Sequence, residues 1–233
     1  MKYFIAFGNQ KGGSGKSTLC ALFASYLVEK GLRVFLADFD AQASVASTRQ
    51  ADLKMFPDVP VPYQVQSFAM SLPGRTDREN EIYIIGTLNF LAEKADVVLV
   101  DTPGNILEDN LLLIYQKMDY VIVPFGYDRV SWNALVAYIN TLGTIKKEFG
   151  YHFSPIYFLN KYDRRKGTSQ EHEYWEALDR YLSKTGTLAP PVFDRAEMSR
   201  FNTLVMSKKQ QENVAPCFDF IYHAIFENKS HHE

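Results

Sequence analysis

The sequence predicts an α/β fold: one domain over residues 1–233, built on a mostly parallel, twisted sheet with helices on both faces. Three observations carry this prediction. Short apolar runs alternate with stretches of helical periodicity along nearly the whole chain. The apolar runs are continuous, as in Val97-Val98-Leu99-Val100, which suits strands covered on both sides. The first of them, Tyr3-Phe4-Ile5-Ala6-Phe7, feeds a glycine-rich loop that opens directly into a helical pattern.

In chain order, Tyr3–Phe7 is the first strand. Leu19, Leu22, Phe23, Leu27 and Val28 recur at helical spacing up to Lys30, and Gly31 supplies the stop. Arg33–Ala37 reads as a second buried strand, ending at Asp38-Phe39-Asp40. Residues 43–51 form a short helix. The stretch from Asp52 to Asp77 carries Pro57, Pro60, Pro62 and Pro73, so it is the least regular part, on one flank of the sheet, with a short strand near Tyr63–Phe68. A helix over Arg78–Ala95 turns Ile82, Ile85, Leu88 and Leu91 inward. Asp96–Asp101 is a strand, 107–117 a helix, Tyr120–Pro124 a strand and Ser131–Glu148 a long helix. Phe153–Leu159 is a strand, Glu171–Lys184 a helix and Pro191–Phe193 a last edge strand. One or two short helices then run up to residue 228.

Of the 233 residues, 46% are hydrophobic and 22% charged, enough for one sizeable core. A net charge of −2 gives no global footprint for nucleic acid, so any DNA contact must come from a local patch. The 2 cysteines, Cys20 and Cys217, form no C-x-x-C, which excludes a disulfide scaffold and a zinc or iron–sulfur centre. Buried thiols and a reducing, cytoplasmic compartment are expected. No apolar run approaches the ~18 residues of a spanning helix, and the N-terminus reads as strand rather than signal peptide. The polar tail 228–233 is expected to fray, and its His231 and His232 receive no metal role.

The loop Gly8-Asn9-Gln10-Lys11-Gly12-Gly13-Ser14-Gly15-Lys16-Ser17-Thr18 has the context of a phosphate-binding loop. Backbone N–H groups from Gly12 to Thr18 would cradle anionic oxygens at a helix N-terminus. Lys16 would reach the β- and γ-phosphates, and Ser17 would hold Mg²⁺. Asp101-Thr102-Pro103-Gly104 ends an apolar strand, where a carboxylate can hold a metal-bound water opposite Ser17. Asp38 and Asp40 alternate onto one side of an extended segment, suiting metal positioning and orientation of a water. Asn160-Lys161-Tyr162-Asp163 read literally is N-K-x-D, a guanine-recognition motif. In a parallel sheet ligands bind at the carboxyl ends of the strands, so these groups should share one rim.

One departure is informative. The standard motif G-x-x-x-x-G-K-[ST] wants glycine where Gln10 stands, and Lys11-Gly12-Gly13 follows. The form K-G-G-x-G-K-[ST] resembles the deviant Walker A loop of the ParA/MinD family of P-loop ATPases. Asp38-x-Asp40-x-Gln42, Asp101-Thr102-Pro103-Gly104 and Asn160-x-Tyr162-Asp163-Arg164-Arg165 come in that family's order. The resemblance implies ATP and Mg²⁺ as ligands, with Lys11, Lys16 and Asp40 catalytic. Asp40 would orient or activate the attacking water, and Ser17, Asp38 and Asp101 would serve the metal. Asn160 and Asp163 would contact the base. A GTP-dependent switch that uses Asn160 to Asp163, and a nucleotide-dependent small-molecule enzyme of the dethiobiotin-synthetase type, remain as alternatives. The enzyme would need a substrate pocket beside Asp40.

Within the family, the missing cysteines exclude the iron-protein and arsenite-pump branches. A MinD-like membrane helix would need lysines flanking the face of Phe218, Ile221, Tyr222 and Ile225, so that face is expected to pack on the core. The remaining resemblance is to short ParA-type partition ATPases, which start directly at the first strand. It implies an ATP-bound homodimer in which Lys11 reaches the partner's phosphates. It also implies non-specific DNA binding, a ParB-like or cargo-adaptor partner that stimulates slow hydrolysis, and association with the nucleoid. Candidate DNA contacts are Lys161, Arg164, Arg165 and Lys166, then Arg195, Arg200, Lys208 and Lys209, with Lys146 and Lys147 a third group.

Overall fold

The computed structural model describes residues 2–105, 110–127 and 129–227. Seven strands form one sheet: β1 (Tyr3–Phe7), β2 (Val34–Asp38), β3 (Gln64–Ser67), β4 (Val97–Asp101), β5 (Tyr120–Phe125), β6 (Ser154–Leu159) and β7 (Thr187–Ala189). Every pairing is parallel, in the order β3-β2-β4-β1-β5-β6-β7. The helices are α1 (Lys16–Glu29), α2 (Ser44–Met55), α3 (Asp77–Lys94), α4 (Leu111–Lys117), α5 (Arg129–Phe149), α6 (Ser169–Thr185) and α7 (Lys208–Tyr222).

Alternation along the buried strands divides the core into two layers. Ile5, Phe7 and Leu36 face α1 and α7, meeting Leu22, Phe23, Val214 and Phe218. Ala6, Phe35 and Ala37 face the other way, onto Leu88, Ile114, Leu135 and Leu178 of α3 to α6. Burial of such side chains contributes about 1.5–3 kcal/mol each. Phe218, Ile221 and Ile225 lie in the first layer and Tyr222 packs against it, as expected for a core-facing terminal helix. Cys20 and Cys217 are both buried and free. Among the described residues no helix is long and apolar enough to cross a membrane.

Four expectations need correction. The inward face of α3 is Asn80, Ile84, Leu88 and Leu91. Ile82 is 59% exposed and Ile85 only partly buried. The run Ile82-Tyr83-Ile84-Ile85 offers apolar side chains to two faces, and packing against the sheet buries the one that carries Ile84, Leu88 and Leu91. The edge strand is Thr187–Ala189, paired with Ile156–Phe158, rather than Pro191–Phe193. Pro190 and Pro191 have no N–H for a ladder, and Phe193 makes one isolated bridge to Tyr162. After residue 207 the main element is a 15-residue helix, opened by a Ser207–Gln210 capping box and continued by a π-helical turn over His223–Glu227, longer than the short helices expected. α1 begins at Lys16 rather than Leu19, because the loop passes straight into its first turn. The start of the expected 107–117 helix and the tail 228–233 lie outside the described residues.

The proline-rich flank is held by a group that the sequence did not single out. Arg49 is buried; its Nη1 donates to the Tyr63 carbonyl (2.6 Å), while Nε and Nη2 donate to Thr203 Oγ1 (2.8 Å) and its carbonyl (2.9 Å). Asp52 accepts from the Thr203 N–H and hydroxyl. One buried guanidinium thus ties α2 and the edge of β3 to the chain before α7.

Candidate nucleotide site

The C-terminal ends of β1, β2, β4 and β6 converge on the glycine-rich loop. Asn9 shapes its entry: its amide donates to the Pro124 carbonyl (2.7 Å) and its oxygen accepts from the Lys11 N–H (2.9 Å). Gly13 and Gly15 have φ of 76° and 87°, the left-handed region that side chains resist. A Cβ on Gly15 would also stand 2.3 Å from Asn160 Nδ2. Gly15 is the N-cap of α1 and offers no side-chain acceptor, whereas α3, α6 and α7 all carry capping boxes. The first amides of α1 are therefore left to an external acceptor, which fits phosphate.

Lys16 is buried at the centre. Its Nζ lies 3.1 Å from Asp101 Oδ1 and 3.6 Å from Asp40 Oδ2. The Ser17 hydroxyl also hydrogen-bonds Asp101. Asp101 Oδ2 is buried without a partner. Burial pushes the Asp101 carboxyl up to about 6, against the opposing pull of Lys16 and Ser17. An orphaned carboxylate oxygen beside a serine hydroxyl and an open anion cradle fits Mg²⁺, which takes one or two carboxylates together with phosphate oxygens and waters. No group of three His, Cys, Asp or Glu side chains among the described residues could hold a metal alone.

Asp38 occupies both its oxygens with backbone. Oδ2 accepts from the N–H groups of Val45 (3.0 Å) and Ala46 (3.1 Å), and Oδ1 from Asp40 (3.2 Å). Burial raises its carboxyl, and those amides oppose the rise. It fixes the turn that presents Asp40, whose Oδ1 accepts from the Gln42 N–H (2.9 Å) while Oδ2 faces Lys16. Thr102 donates its hydroxyl to the Phe7 carbonyl (2.9 Å), locking the segment after β4 against the loop's base. Gly104 lies against that loop: a Cβ there would be 3.5 Å from the Gln10 carbonyl.

Asn160 and Lys161 tether the loop from β6. Asn160 Nδ2 donates to the Ser14 carbonyl (2.8 Å) and Lys161 Nζ to the Gly13 carbonyl (3.1 Å). Lys161 and Ala43 are the two non-glycine residues with positive φ among the described residues, 56° and 45°, and both stand on this rim. Asp163 does not reach the loop. Arg165 holds it through its N–H, Nε and Nη2 (2.9–3.0 Å), which keeps the carboxyl down at about 2.

A cavity of ≈ 310 Å³ is lined by Gly15, Thr18, Leu19, Asn160, Arg195 and Met198, beside the first turn of α1. A second, of ≈ 380 Å³, lies across the Asn160–Lys161 tether and is lined by Lys11, Tyr127, Asp163 and Trp175 among others. Neither is lined by Asp40.

Two of the three cationic groups meet at the same rim. Lys166 pairs with Asp194 (3.5 Å), and Arg164 lies over the Phe193 ring (5.2 Å). Lys208 and Lys209 open α7, and Lys209 pairs with Glu197 (3.4 Å). Arg200 ends a 3₁₀ turn that begins at Ala196. Lys146 and Lys147 end α5 beside the start of β6, where Lys146 lies over the Phe153 ring (5.6 Å), at the end of the strands away from this rim.

The sequence placed Lys16, Ser17, Asp40, Asp101 and Asn160 on one rim, and the structure gathers them there. It missed Asn9, the Lys161 bridge and Thr102, because an inward-facing polar group beside a loop leaves no periodic trace. Asn9, adjoining the loop on an apolar strand's end, was the one available signal. Gly15→Ala is expected to weaken nucleotide binding more than tenfold, since it combines a left-handed φ with displacement of Asn160. Titration calorimetry with a non-hydrolysable ATP analogue checks this, and a change under threefold would contradict it.

A parallel sheet with an uncapped glycine-rich turn, a buried lysine and a strand-end aspartate defines a P-loop nucleotide-binding protein. The model of the CobQ/CobB/MinD/ParA nucleotide binding domain matches residues 5–213, and the chain belongs to that family. It is 49% identical over 43 residues to the chromosome-partitioning ATPase Soj of Thermus thermophilus, covering 18% of this chain and 17% of that protein. The chain spans less than a fifth of the length of the curated relatives that it matches. A plasmid partition protein of Borrelia burgdorferi bound to AMPPNP superposes with a TM-score of 0.73 at 16% identity, over 96% of this chain and 99% of that one. Cobyrinic acid a,c-diamide synthase of Mycobacterium smegmatis, with ADP and magnesium, gives 0.70 at 21% identity over 96% of both chains. At such identities the likeness shows the shared fold alone.

Proposed function

We propose that this protein is a Mg²⁺-dependent ATPase of the ParA type. It dimerises around ATP, binds DNA without sequence preference and positions or partitions DNA or a protein cargo. The observation that carries this reading is Lys11-Gly12-Gly13 joined to a P-loop whose Lys16 lies between Asp40 and Asp101. Lys16 releases the two carboxylates when phosphate arrives and holds the β- and γ-oxygens. Lys11 extends to the phosphates of a second copy, so the dimer depends on the terminal phosphate. Asp40 orients the water whose oxygen attacks the γ-phosphorus as the bond to the β-phosphate oxygen breaks. Bound Mg²⁺, held by Ser17 and Asp101, would neutralise charge on the β- and γ-phosphates. Asp38 supports this site by fixing the turn of Asp40.

Adenine suits the ≈ 310 Å³ cavity, which continues from the cradle past Thr18 and includes Asn160. A GTP reading draws support from Asn160 and Lys161, which tether the loop in the N-K-x-D manner. Against it, the Asp163 carboxylate needed for guanine is bound by Arg165 and lines the other cavity. Competition of ATP and GTP for one labelled analogue decides between them.

Arg164, Arg165, Lys166, Arg195, Arg200, Lys208 and Lys209 are the proposed DNA contacts, effective once two copies combine their patches. A ParB-like or adaptor protein would accelerate hydrolysis, and the working compartment would be the cytoplasm, at the nucleoid. Light scattering after gel filtration tests the core of this reading. Wild type should become dimeric with ATP and Mg²⁺ and then bind duplex DNA. Lys11→Ala should stay monomeric, and Asp40→Ala should form a lasting dimer that does not hydrolyse ATP. Monomers alone, in wild type and Asp40→Ala alike, would sink the proposal.

A further inference from the structure

We propose that the cavity between α5 and α6 is a binding site for an organic cation, an alkylammonium or guanidinium group, separate from the nucleotide cradle. The cavity measures ≈ 520 Å³. Four aromatic side chains line it, Tyr127, Trp132, Tyr174 and Trp175, together with Glu171. Among the described residues no lysine or arginine lines it. Aromatic rings carry negative electrostatic potential on their faces, so a space lined by several of them attracts a cation that has shed part of its water, through the faces that the Tyr127–Trp175 stack does not cover. A carboxylate at the wall adds a charge-assisted contact and repels anions. The neighbouring ≈ 380 Å³ cavity shares Tyr127, Glu171 and Trp175 with it, but differs in being lined by Lys11, Lys161 and Lys166 as well.

The walls are held in place before any ligand arrives. Tyr127 and Trp175 stack in parallel, 4.5 Å between centroids and 5° between planes. The Tyr127 hydroxyl donates to Asp179 Oδ2 (2.8 Å), which anchors the ring from behind. Trp175 lies against Gly167, whose φ is +103° and where a Cβ would come within 2.3 Å of the indole. His172 meets the same indole edge-on at 4.5 Å. Glu171 Oε2 accepts from the Thr168 N–H (2.7 Å) and hydroxyl (3.0 Å), so its carboxylate is fixed, and these bonds favour its charged form. Tyr174 lines the cavity and is 59% exposed, so the space opens to solvent beside it. The stack has a packing role, but packing does not call for an open, acid-walled space beside it. The inference stands apart from the nucleotide reading.

The chain's 2 tryptophans both line this cavity, so intrinsic fluorescence reports on it directly. The full chain is titrated at constant ionic strength with choline, with N-acetyl-arginine amide, and with 3,3-dimethyl-1-butanol, the uncharged counterpart of choline. At least one cation should give a saturable change in emission, and the alcohol should bind at least tenfold more weakly. Glu171→Gln removes the charge but closes the same capping box, so it should weaken the cation at least tenfold while the protein stays folded, with at most a small drop in melting temperature from the lost first-turn charge. Saturation by choline alone assigns a small-molecule ligand; saturation by the arginine amide assigns a side chain of a partner protein. Equal binding of the alcohol, unaltered affinity in Glu171→Gln, or no saturable response to either cation overturns the proposal.

Discussion

Lys16→Ala is expected to lower affinity for an ATP analogue at least 100-fold. The reason is electrostatic as much as a matter of lost contact. The ammonium stands 3.1 Å from Asp101 and 3.6 Å from Asp40, and Asp38 is buried on the adjoining strand end. Without it, a phosphate chain must approach a cluster of carboxylates with no buried cation in between. A hydrogen bond to a charged group contributes about 1.5–3 kcal/mol, and the repulsion comes on top, which together exceeds a factor of 100. Asp101 also loses one of the two influences that hold its carboxyl down, so it becomes harder to ionise. Titration calorimetry measures the affinity, and circular dichroism confirms that the variant is folded. A loss under fivefold in a folded protein would mean that the loop amides bind phosphate unaided.

The sheet was legible because its strands are buried on both faces. Runs such as Val97–Val100 and Tyr120–Val123 have no other comfortable place, and their order along the chain gave the parallel fold. The errors fall where local signals compete. In α3, Ile82, Ile84 and Ile85 admit two helical faces, and tertiary packing chose between them. At the far edge, Pro191-Val192-Phe193 has strand-like composition, yet the backbone donors that a ladder needs sit four residues earlier, at Thr187–Ala189. In the site, charged residues at strand ends were visible because the apolar run stops on them. Side chains that fold back onto the loop's carbonyls, Asn160 and Lys161, could be named from the sequence but not given their contacts. Arg49 carried no signal at all, since a buried arginine looks like any surface arginine on a short polar helix.

Asp101→Asn is expected to raise the stability of the nucleotide-free protein while cutting ATP hydrolysis at least 100-fold. Asp101 is fully buried, one of its oxygens has no partner, and its carboxyl is pushed up to about 6. The unfolded chain titrates near the ordinary value of about 3.9, so keeping the charged form in the fold costs up to about 3 kcal/mol above pH 6. The sign follows from linkage: a raised carboxyl contributes most below about pH 4, and that contribution is lost as pH rises through about 6. Asparagine has the same shape and no charge, so its advantage should be ~1–3 kcal/mol at pH 8, several degrees in Tm for a chain of this size, and should vanish near pH 4. Lys16 loses its closest partner in the exchange but keeps Asp40 and a route to solvent, which limits the offsetting penalty. Paired melting curves at pH 8 and pH 4.5 measure this directly. A variant less stable than wild type at pH 8 would show that the Lys16–Asp101 pair stabilises the fold on balance. Stability gained with activity lost would mean instead that the buried carboxylate is kept, at a cost to the fold, for what binds beside it.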